Sequence, residues 1–359
     1  MLKLDPSDIP HETVSAFCPL PFHKVILTSP GGFVMCCHQG SSFGGIQDGE
    51  ILDLWNGKLA QDIRERTTEG KLHEVCSHRK TCPFINGGKT MYNIPIYRNC
   101  KYPFVLEICL PDSHCNVGGT KPSSKNPACI MCRRNFVDVT DPNTITIEKL
   151  CDKAKPLMPY LRELMVLGTA EPFWKDAVFE VFQRLEFSYY KKQCRFATNT
   201  NAICLNEKTI RRFFEETLTT ELSFSIDAAT PMTYRKIRRL DMYEKVIDNI
   251  SKYLVLRNDY VGSHKAIIYN NINLLNVHEM SQMVEVAAKL GVDGMIMLPT
   301  YTVDNSVKLG EFILCEKNVD IFKECSEEAM ATAHRVGMPL RYTMRFDVAL
   351  SDAHLAMSA

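Results

Sequence analysis

The chain has 359 residues, of which 45% are hydrophobic and 23% charged, and these proportions are ordinary for a globular protein. The length allows one large domain of about 250 residues and a smaller one. Lysine plus arginine equals aspartate plus glutamate at 42 each, so no net charge favours nucleic acid or anionic lipid. No apolar run reaches the length of a membrane span, and the start, MLKLDPSDIP, lacks an export pattern. We therefore expect a cytoplasmic protein with no membrane partner.

Cysteine usage is the unusual feature of the composition. There are 15 cysteines, and ten of them lie between Cys18 and Cys132. A disulfide framework would need an oxidising compartment and is typical of small exported domains. In a reducing compartment, clustered thiols more often bind metal or carry out redox chemistry. We therefore expect metal or iron–sulfur sites rather than disulfides.

The predicted elements divide the chain into two regions. Residues 1–100 are rich in cysteine and in loops and contain few long periodic segments. From about residue 103, short β-type runs alternate with amphipathic helical segments. The predicted strands are 103–110, 163–168, 193–199, 221–227, 265–271, 294–299 and, more weakly, 340–345. The helical patterns are 144–161, 177–185, 209–218, 242–254, 280–291 and 319–337.

This alternation of strands and helices predicts right-handed βαβ units and a parallel sheet. Six or seven repeats favour an α/β fold with a full or partial (β/α) TIM-type barrel. We expect residues 101–359 to form that barrel, as a partial (β/α)6 barrel, and residues 1–100 to form a small cysteine-rich domain. In such folds, ligands bind at the carboxyl ends of the strands.

The loop after the first predicted barrel strand holds three cysteines. Its sequence, HCNVGGTKPSSKNPACIMC, contains Cys115, Cys129 and Cys132, and the last two form a C-x-x-C pair. From the residues alone, this loop is a zinc knuckle, a disulfide loop or a cage for an iron–sulfur cluster.

Small and polar residues follow the next three predicted strands. The second strand ends in GTAEPF (168–173), the third in TNTNAI (198–203), and the fourth in SIDAATPMTYRKIRR (225–239). Taken singly, each sequence is typical of a turn, a cap or a solvated helix face. Because the ends of parallel strands meet at one edge of a sheet, together they favour a binding site.

In residues 103–345, these motifs resemble the radical S-adenosylmethionine (radical SAM) superfamily. CNV…CIMC is similar to its cluster loop, GTAEP to its GGEP motif, TNTNAI to TNG, and SIDAATPMTYRKIRR to the stretch after its fourth strand. The resemblance implies that Cys115, Cys129 and Cys132 hold a [4Fe–4S] cluster that chelates S-adenosylmethionine. It also implies cofactor contacts from a further set of residues: Gly168, Thr169, Ala170, Glu171, Asn199, Ser225 and Arg238, with Asp227, Arg235 and Arg239 as neighbouring alternatives.

The cysteine loop departs from the superfamily pattern in one respect. Thirteen residues separate Cys115 from Cys129, where the superfamily usually has three. Cys109 is an alternative ligand, and we prefer Cys115 because Cys115–Val117 matches the superfamily sequence. Glycines and a proline within the loop permit a longer excursion of the chain.

Residues 1–100 resemble the SPASM/twitch auxiliary-cluster domain, which usually follows a radical SAM barrel rather than preceding it. The signals are FCPLPF (17–22), GGFVMCC (31–37), LWNG (54–57) and a closing cysteine pair. The resemblance implies one auxiliary [4Fe–4S] cluster bound by Cys18, Cys36 or Cys37, Cys76 and Cys82. A structural zinc ion is the alternative. Four histidines lie near cysteines and are alternative ligands, but they are more simply interpreted as polar loop residues: His38, His73, His78 and His114.

Outside these loops, the residues have simpler interpretations. Trp55 is expected in the core of the small domain. Five cysteines within helical or strand patterns are expected to be buried small side chains: Cys151, Cys194, Cys204, Cys315 and Cys325.

The sequence therefore favours a radical SAM oxidoreductase or maturase that abstracts hydrogen from a small polar metabolite or a peptide side chain. An external flavodoxin- or ferredoxin-type protein is the expected electron donor. The alternative is a non-catalytic iron–sulfur or zinc-binding protein on a degenerate barrel. No residue is singled out as a catalytic acid, base or radical quencher.

Overall fold

The structure is a computed structural model, and it describes residues 11–37, 39–76, 82, 91–97, 100–111, 114–119, 125, 128–132, 134, 145–168, 170–300, 312, 314 and 318–342. Sequence predictions that concern His38, His78, Thr169 and Cys315 lie outside the described residues. The chain divides into two compact units. The first contains residues 1–111, 142–170 and 176–197, and the second contains residues 112–141, 171–175 and 198–359.

In the first unit, strands from both predicted regions join in one sheet. β2 (Lys24–Leu27) is parallel to β6 (Val105–Cys109), and β6 is parallel to β7 (Glu163–Leu167). β2 is also antiparallel to β3 (Gly32–Val34), which pairs with β4 (Gly44–Gly45). A separate antiparallel pair joins β1 (His11–Ala16) and β5 (Tyr92–Tyr97). Because β2 pairs with β6, the compact unit extends across residue 100; the predicted functional boundary there stays a prediction.

The helices of the first unit pack their apolar faces into its core. They are α1 (Leu20–His23), α2 (Ile51–Trp55), α3 (Lys58–Thr68), α4 (Ile147–Ala154) and α5 (Ala177–Arg184). α4 begins where the Thr146 side chain accepts a hydrogen bond from the Lys149 amide, a standard N-cap. Trp55 is fully buried, as predicted, and donates to the carbonyl of Cys100 at 2.8 Å.

The second unit contains a parallel array of strands joined by helices. β9 (Thr219–Phe224) is parallel to β10 (Ser263–Ile272), which is parallel to β11 (Gly294–Pro299), and β11 is parallel to β12 (Leu340–Tyr342). β8 (Arg195–Thr200) begins in the first unit and ends in the second. The helices are α6 (Glu207–Glu216), α7 (Pro231–Arg238), α8 (Tyr243–Leu256), α9 (Met280–Leu290) and α10 (Val319–Val336).

Helix boundaries in the second unit follow from side-chain caps and from glycine. Asn206 caps α6 by accepting a hydrogen bond from the Thr209 amide at 3.0 Å. α9 and α10 end at Gly291 and Gly337, whose φ angles of 78° and 69° lie in the left-handed region that glycine adopts without strain.

The predicted α/β class, with parallel strands joined by crossover helices as in a partial (β/α) barrel, is confirmed. Every strand predicted from residue 103 onward is present in the described residues, and β11 has the predicted bounds of 294–299. Residues 343–345 of the last predicted strand lie outside the described residues. In the part of the chain that the structure describes, no helix has both the length and the apolarity needed to cross a bilayer.

Candidate functional site

The second unit contains the three-cysteine loop and the turns that hold it. Cys129 and Cys132 are joined by a turn in which the Cys132 amide donates to the Cys129 carbonyl at 2.8 Å. The Ile130 amide donates to the carbonyl of Ile237 in α7 at 3.0 Å. Gly118, with a φ of 68°, allows the chain to turn after Cys115. The C-x-x-C turn is therefore attached to the helix that follows the fourth predicted strand.

The thiols of this loop lie in a poorly solvated environment. Burial raises the pKa of Cys115 to about 11, with Arg134 acting in the opposite direction. Burial also raises the pKa of Cys129, and Arg238 opposes that change. Each of these two thiols lies close enough to a neighbouring thiol for electrostatic repulsion, Cys115 to Cys129 and Cys129 to Cys132. Ionised forms of these thiols therefore depend on the two arginines or on a bound metal.

Arg134 lies against this group of thiols, and the sequence interpretation did not include it. Its side chain is 1% exposed. Nε donates to the sulfur of Cys132 at 3.4 Å, and an Nη donates to the Val117 carbonyl at 2.5 Å. Burial acts to lower its pKa, but Cys115, Cys132 and Cys129 outweigh burial and raise it. The basic residues after CIMC were the only sequence signal for this guanidinium.

Arg238, a predicted cofactor residue, forms a buried ion pair with Asp227. The two charged groups are 2.5 Å apart, and their side chains are 11% and 0% exposed. Arg238 also donates to the Ser225 carbonyl at 2.8 Å and lies 3.9 Å from the sulfur of Cys129. Burial lowers the pKa of Arg238, but Asp227 and then Cys129 outweigh it, so the guanidinium stays charged. Arg238 therefore connects the end of β9 to the cysteine loop.

Asp227 is held in an unusual backbone conformation. Its φ of 59° lies in the left-handed region, which is uncommon for a residue other than glycine. Its amide donates to the side chain of Asn270 at 2.8 Å, and its carboxylate accepts from the Asn271 amide at 2.7 Å. Asn276 donates to its carbonyl at 2.9 Å. This set of contacts fixes the carboxylate that holds Arg238.

Glu171 was predicted to contact the cofactor, and the structure places its side chain in the interior of the protein. The residue is 1% exposed. One oxygen accepts from the Thr200 hydroxyl at 2.6 Å and the Phe173 amide at 3.2 Å, and the other accepts from the Asn201 amide at 2.7 Å. Burial raises its pKa, and these hydrogen bonds oppose the rise. In the structure, the carboxylate of Glu171 organises the loop after β8; its role as a cofactor ligand stays a prediction.

Asn201 links the loop after β8 to the cysteine loop. Its side-chain amide donates to the Asn116 side chain at 2.8 Å, next to Cys115. Asn116 in turn donates to the sulfur of Cys204 at 3.3 Å. The backbone amide of Glu171 donates to the carbonyl of His114 at 2.6 Å, so the two loops also meet at the start of the cysteine segment. The predicted hydrophobic role of Cys204 is therefore incomplete, because its sulfur accepts a hydrogen bond.

The other predicted cofactor residues are less tightly held. Ser225 is half-buried, and its amide donates to the Thr200 carbonyl at 2.8 Å. Asn199 is exposed. Gly168 belongs to the first unit and has a φ of 111°; a Cβ there would lie 3.2 Å from the Leu110 carbonyl oxygen. Ala170 also belongs to the first unit, and Thr169 lies outside the described residues. The roles of these residues stay predictions.

The N-terminal cysteines form a second group within the first unit. Burial raises the pKa of Cys18 to about 12; a hydrogen bond from the Leu20 backbone opposes this, and the nearby thiols of Cys82 and Cys76 add to it. Cys36 is half-buried and Cys37 is exposed, so the choice between them stays open.

His73 supports this group without offering a free ring nitrogen. One nitrogen lies 2.9 Å from a carboxylate oxygen of Asp62, and the other accepts from the Val75 amide at 3.1 Å. The carbonyl of His73 accepts from the amide of Cys76 at 3.1 Å. The interpretation of His73 as a polar loop residue therefore agrees with its contacts.

The two groups of cysteines supply the kind of ligand that iron–sulfur clusters use. In the part of the chain that the structure describes, fourteen cysteines are not joined in disulfides, and thiolates are the usual ligands of these clusters. Within the described residues, no group of three or more His, Cys, Asp or Glu side chains is arranged to hold a metal ion. In the second unit, the loop and Arg134 therefore bring the thiols near one another, but the thiols do not converge on one point. An anionic cluster matches the two buried guanidinium groups that face them.

The N-terminal region matches a known family. Residues 18–83 match SPASM, described as an iron-sulfur cluster-binding domain. This match confirms the SPASM resemblance predicted from the cysteine pattern. None of the curated proteins matches the chain.

Solved structures also show similarity to the chain. SuiB from Streptococcus suis, bound to S-adenosylmethionine, is 13% identical with a TM-score of 0.47, covering 67% of this chain and 50% of that chain. A radical SAM methyltransferase from Sphaerobacter thermophilus is 14% identical with a TM-score of 0.43, over 60% and 63%. The protein anSMEcpe, with bound AdoMet and Cp18Cys peptide, is 12% identical with a TM-score of 0.49, over 66% and 62%. The chain therefore spans half the length of the SuiB chain.

Proposed function

We propose that the protein is a radical SAM enzyme that cleaves S-adenosylmethionine reductively and uses the product radical to abstract hydrogen from a substrate. One observation carries the proposal. The three-cysteine loop is tied to the ends of β8 and β9 by the Asn201–Asn116 hydrogen bond and by Arg238, which contacts both Ser225 and Cys129. The motif residues that resemble the superfamily are therefore in direct contact with one another.

In this proposal, Cys115, Cys129 and Cys132 hold a [4Fe–4S] cluster with one open iron. When bound there, the cluster supplies one electron that breaks a C–S bond of S-adenosylmethionine, giving methionine and a 5′-deoxyadenosyl radical. Arg238 and Ser225 orient the anionic and polar ends of the cofactor. Asn199, Glu171 and the backbone of Gly168–Ala170 are the other proposed contacts. Glu171 also holds the loop after β8 through its hydrogen bonds to Thr200 and Asn201.

The N-terminal module has a separate part in the proposal. Cys18, Cys76, Cys82 and one of Cys36 and Cys37 hold an auxiliary [4Fe–4S] cluster, supported by the SPASM match over residues 18–83. With four cysteine ligands, the cluster would be closed and would supply electron transfer; with one ligand fewer, its open iron would bind substrate. The proposed substrates are small polar metabolites or peptide side chains, and an external flavodoxin- or ferredoxin-type protein delivers the electron. The class of reaction is oxidoreductase or maturase.

The proposal is tested by anaerobic reconstitution of the full chain with iron and sulfide, followed by S-adenosylmethionine and dithionite. We expect about eight irons per chain, as two [4Fe–4S] clusters require, and formation of 5′-deoxyadenosine measured by chromatography. Cys132→Ala is the matched control, because it removes one ligand of the proposed catalytic cluster and should abolish that product. A wild-type protein that binds iron and yields no 5′-deoxyadenosine would instead be a non-catalytic iron–sulfur protein.

A further inference from the structure

We infer that Arg134 is the built-in counter-ion of the three-cysteine site and makes the cluster held there easier to reduce. This inference rests on the proposed function, because it concerns the cluster that Cys115, Cys129 and Cys132 would bind. The superfamily motifs used above do not include this residue. Its assignment comes from its position against the thiols.

The first argument is the placement of the guanidinium. Arg134 is 1% exposed, and its Nε donates to the sulfur of Cys132 at 3.4 Å. A second nitrogen donates to the carbonyl of Val117, two residues after Cys115, at 2.5 Å. The side chain therefore bridges the two ends of the long loop, and its charge acts on all three thiols.

Within the described residues, the Arg134 guanidinium has no anionic side chain beside it. Among the residues that the structure describes, no aspartate or glutamate forms an ion pair with Arg134. Its remaining terminal nitrogen is buried, with no hydrogen-bond partner in that part of the chain. Burying a charge without an anion nearby is costly. The thiolates and the sulfides of an anionic cluster are the kind of acceptor that would balance this charge.

Arg238 provides an internal comparison. It also lies near a thiol of the loop, 3.9 Å from Cys129, but Asp227 neutralises it at 2.5 Å. Arg134 thus contributes a positive charge that the described part of the protein does not cancel. We therefore assign the net electrostatic effect on the cluster to Arg134 rather than to Arg238.

The sign of the effect follows from charge alone. A [4Fe–4S] cluster with three thiolate ligands is an anion, and the electron it takes from a reductant adds a further negative charge. A fixed positive charge in a poorly solvated site stabilises the reduced form more than the oxidised form. Loss of that charge should therefore lower the reduction potential and leave less cluster reduced at a given solution potential.

The test is a dithionite redox titration of the reconstituted full chain, followed by electron paramagnetic resonance. The signal that changes on adding S-adenosylmethionine reports the three-cysteine site and separates it from the auxiliary cluster. In Arg134→Gln, we expect the reduced-to-oxidised ratio at the wild-type midpoint to fall about tenfold, which is about 59 mV for a one-electron couple. Arg134→Lys keeps the charge and should stay within about threefold of wild type.

Lys252→Gln is the control for loss of a positive charge elsewhere, because Lys252 lies on the surface of α8 and pairs with Asp248. It should leave the ratio unchanged. An Arg134→Gln protein that assembles a cofactor-responsive cluster and titrates like wild type overturns the inference. If Arg134→Gln assembles no such cluster, the Arg134→Lys variant provides the test. A wild-type reduced-to-oxidised ratio in Arg134→Lys supports the role of the positive charge. If Arg134→Lys also assembles no cluster, Arg134 is needed for loop geometry and the inference is overturned. A wild-type signal that ignores S-adenosylmethionine contradicts the proposed function itself.

Discussion

The two groups of cysteines differ in what surrounds their thiols. In the second unit, the burial that raises the pKa of Cys115 and Cys129 is opposed by Arg134 and Arg238. In the first unit, burial raises the pKa of Cys18 to about 12; among the described residues, the Leu20 backbone opposes this rise, and the thiols of Cys82 and Cys76 add to it. Within the described part of the chain, guanidinium groups therefore favour ionised thiols in the second unit, whereas no charged side chain does so at Cys18.

The first unit has a buried arginine of its own, but that side chain serves packing. Arg64 lies over the ring of Trp55, 4.2 Å from its centroid, and donates to the carbonyl of Pro21 at 2.8 Å. The thiol on which it acts is Cys100, which is not a predicted cluster ligand. Arg64 also has a buried terminal nitrogen without a hydrogen-bond partner among the described residues, so this feature alone does not indicate an electrochemical role. What distinguishes Arg134 is that it lies against the predicted cluster ligands.

The largest expected effect separates the two groups by function. Cys115→Ala should reduce formation of 5′-deoxyadenosine to background, because it removes a ligand of the catalytic cluster. Cys18→Ala should keep measurable cleavage of S-adenosylmethionine while losing about half of the bound iron. Iron analysis and chromatography of both reconstituted variants provide the measurement. Cleavage that survives in Cys115→Ala and disappears in Cys18→Ala would reverse the assignment of the two groups.

The next effect concerns the ion pair of the second unit. Arg238→Gln leaves Asp227 buried without its cation and should cost about 3–5 kcal/mol in the free energy of unfolding. Urea denaturation of the apoprotein, followed by circular dichroism, measures this loss. Adding Asp227→Asn should recover part of it, since the second change removes the unpaired charge.

Arg235→Gln is the matched control for that experiment. Arg235 lies on the same helix, is exposed, and pairs with Asp241 at 2.7 Å. An exposed pair contributes little, so the change should stay within about 1 kcal/mol. Equal losses in Arg235→Gln and Arg238→Gln would mean that burial of the pair is unimportant.

A smaller loss is expected at Glu171. In Glu171→Gln, one carboxylate oxygen becomes an amide group that must face a hydrogen-bond donor, either the Asn201 amide or the Thr200 and Phe173 donors. We expect a cost of about 1–3 kcal/mol. The same urea experiment measures it, with Glu207→Gln on the exposed face of α6 as the control. An unfolding curve identical to wild type would show that the buried carboxylate does not organise the loop after β8.

Much of the fold could be predicted because its signals are local. β11 has its predicted bounds, since an apolar run between glycine and proline indicates a buried strand. β9 ends at Phe224, three residues before the predicted end at Asp227. Asp227 has a left-handed backbone held by Asn270 and Asn271, which are distant in sequence. A local pattern does not contain those contacts.

The candidate site was predicted through its motifs and only in part through its contacts. The cysteines, Ser225 and Arg238 were named from sequence, and the hydrogen bonds bring most of them together. The Asn116–Asn201 bond joins residues 85 positions apart and has no periodic signature. The pairing of β2 with β6 was missed for the same reason, because the sequence between them is irregular. Arg134 was missed because an arginine after a cysteine pair is usually solvated.

The smallest expected effect is a loss of folding stability in acid. The test is whether this loss comes from the fold, through His264, or from the two groups of cysteines. His264 is 7% exposed, its Nδ1 lies 3.1 Å from the Thr220 hydroxyl, and its ring packs on Phe214 at 4.6 Å. Burial lowers its pKa from 6.5, and Arg257 adds to this lowering, whereas a hydrogen bond from the ring to the Val261 backbone opposes it. The unfolded chain therefore binds a proton at a higher pH than the folded chain does.

Neutral His264 therefore makes its full contribution to the stability of the folded chain above its ordinary pKa of 6.5. This contribution is lost as the pH falls towards the lowered pKa of the folded chain. In the apoprotein, wild type should lose more stability between pH 7.5 and pH 5.5 than His264→Asn, by at most about 1.4 kcal/mol per pH unit, the limit for one proton. Urea unfolding at the two pH values measures the difference. Parallel pH profiles would place the acid sensitivity elsewhere, and any acid loss of iron would then be assigned to the thiols rather than to this part of the fold.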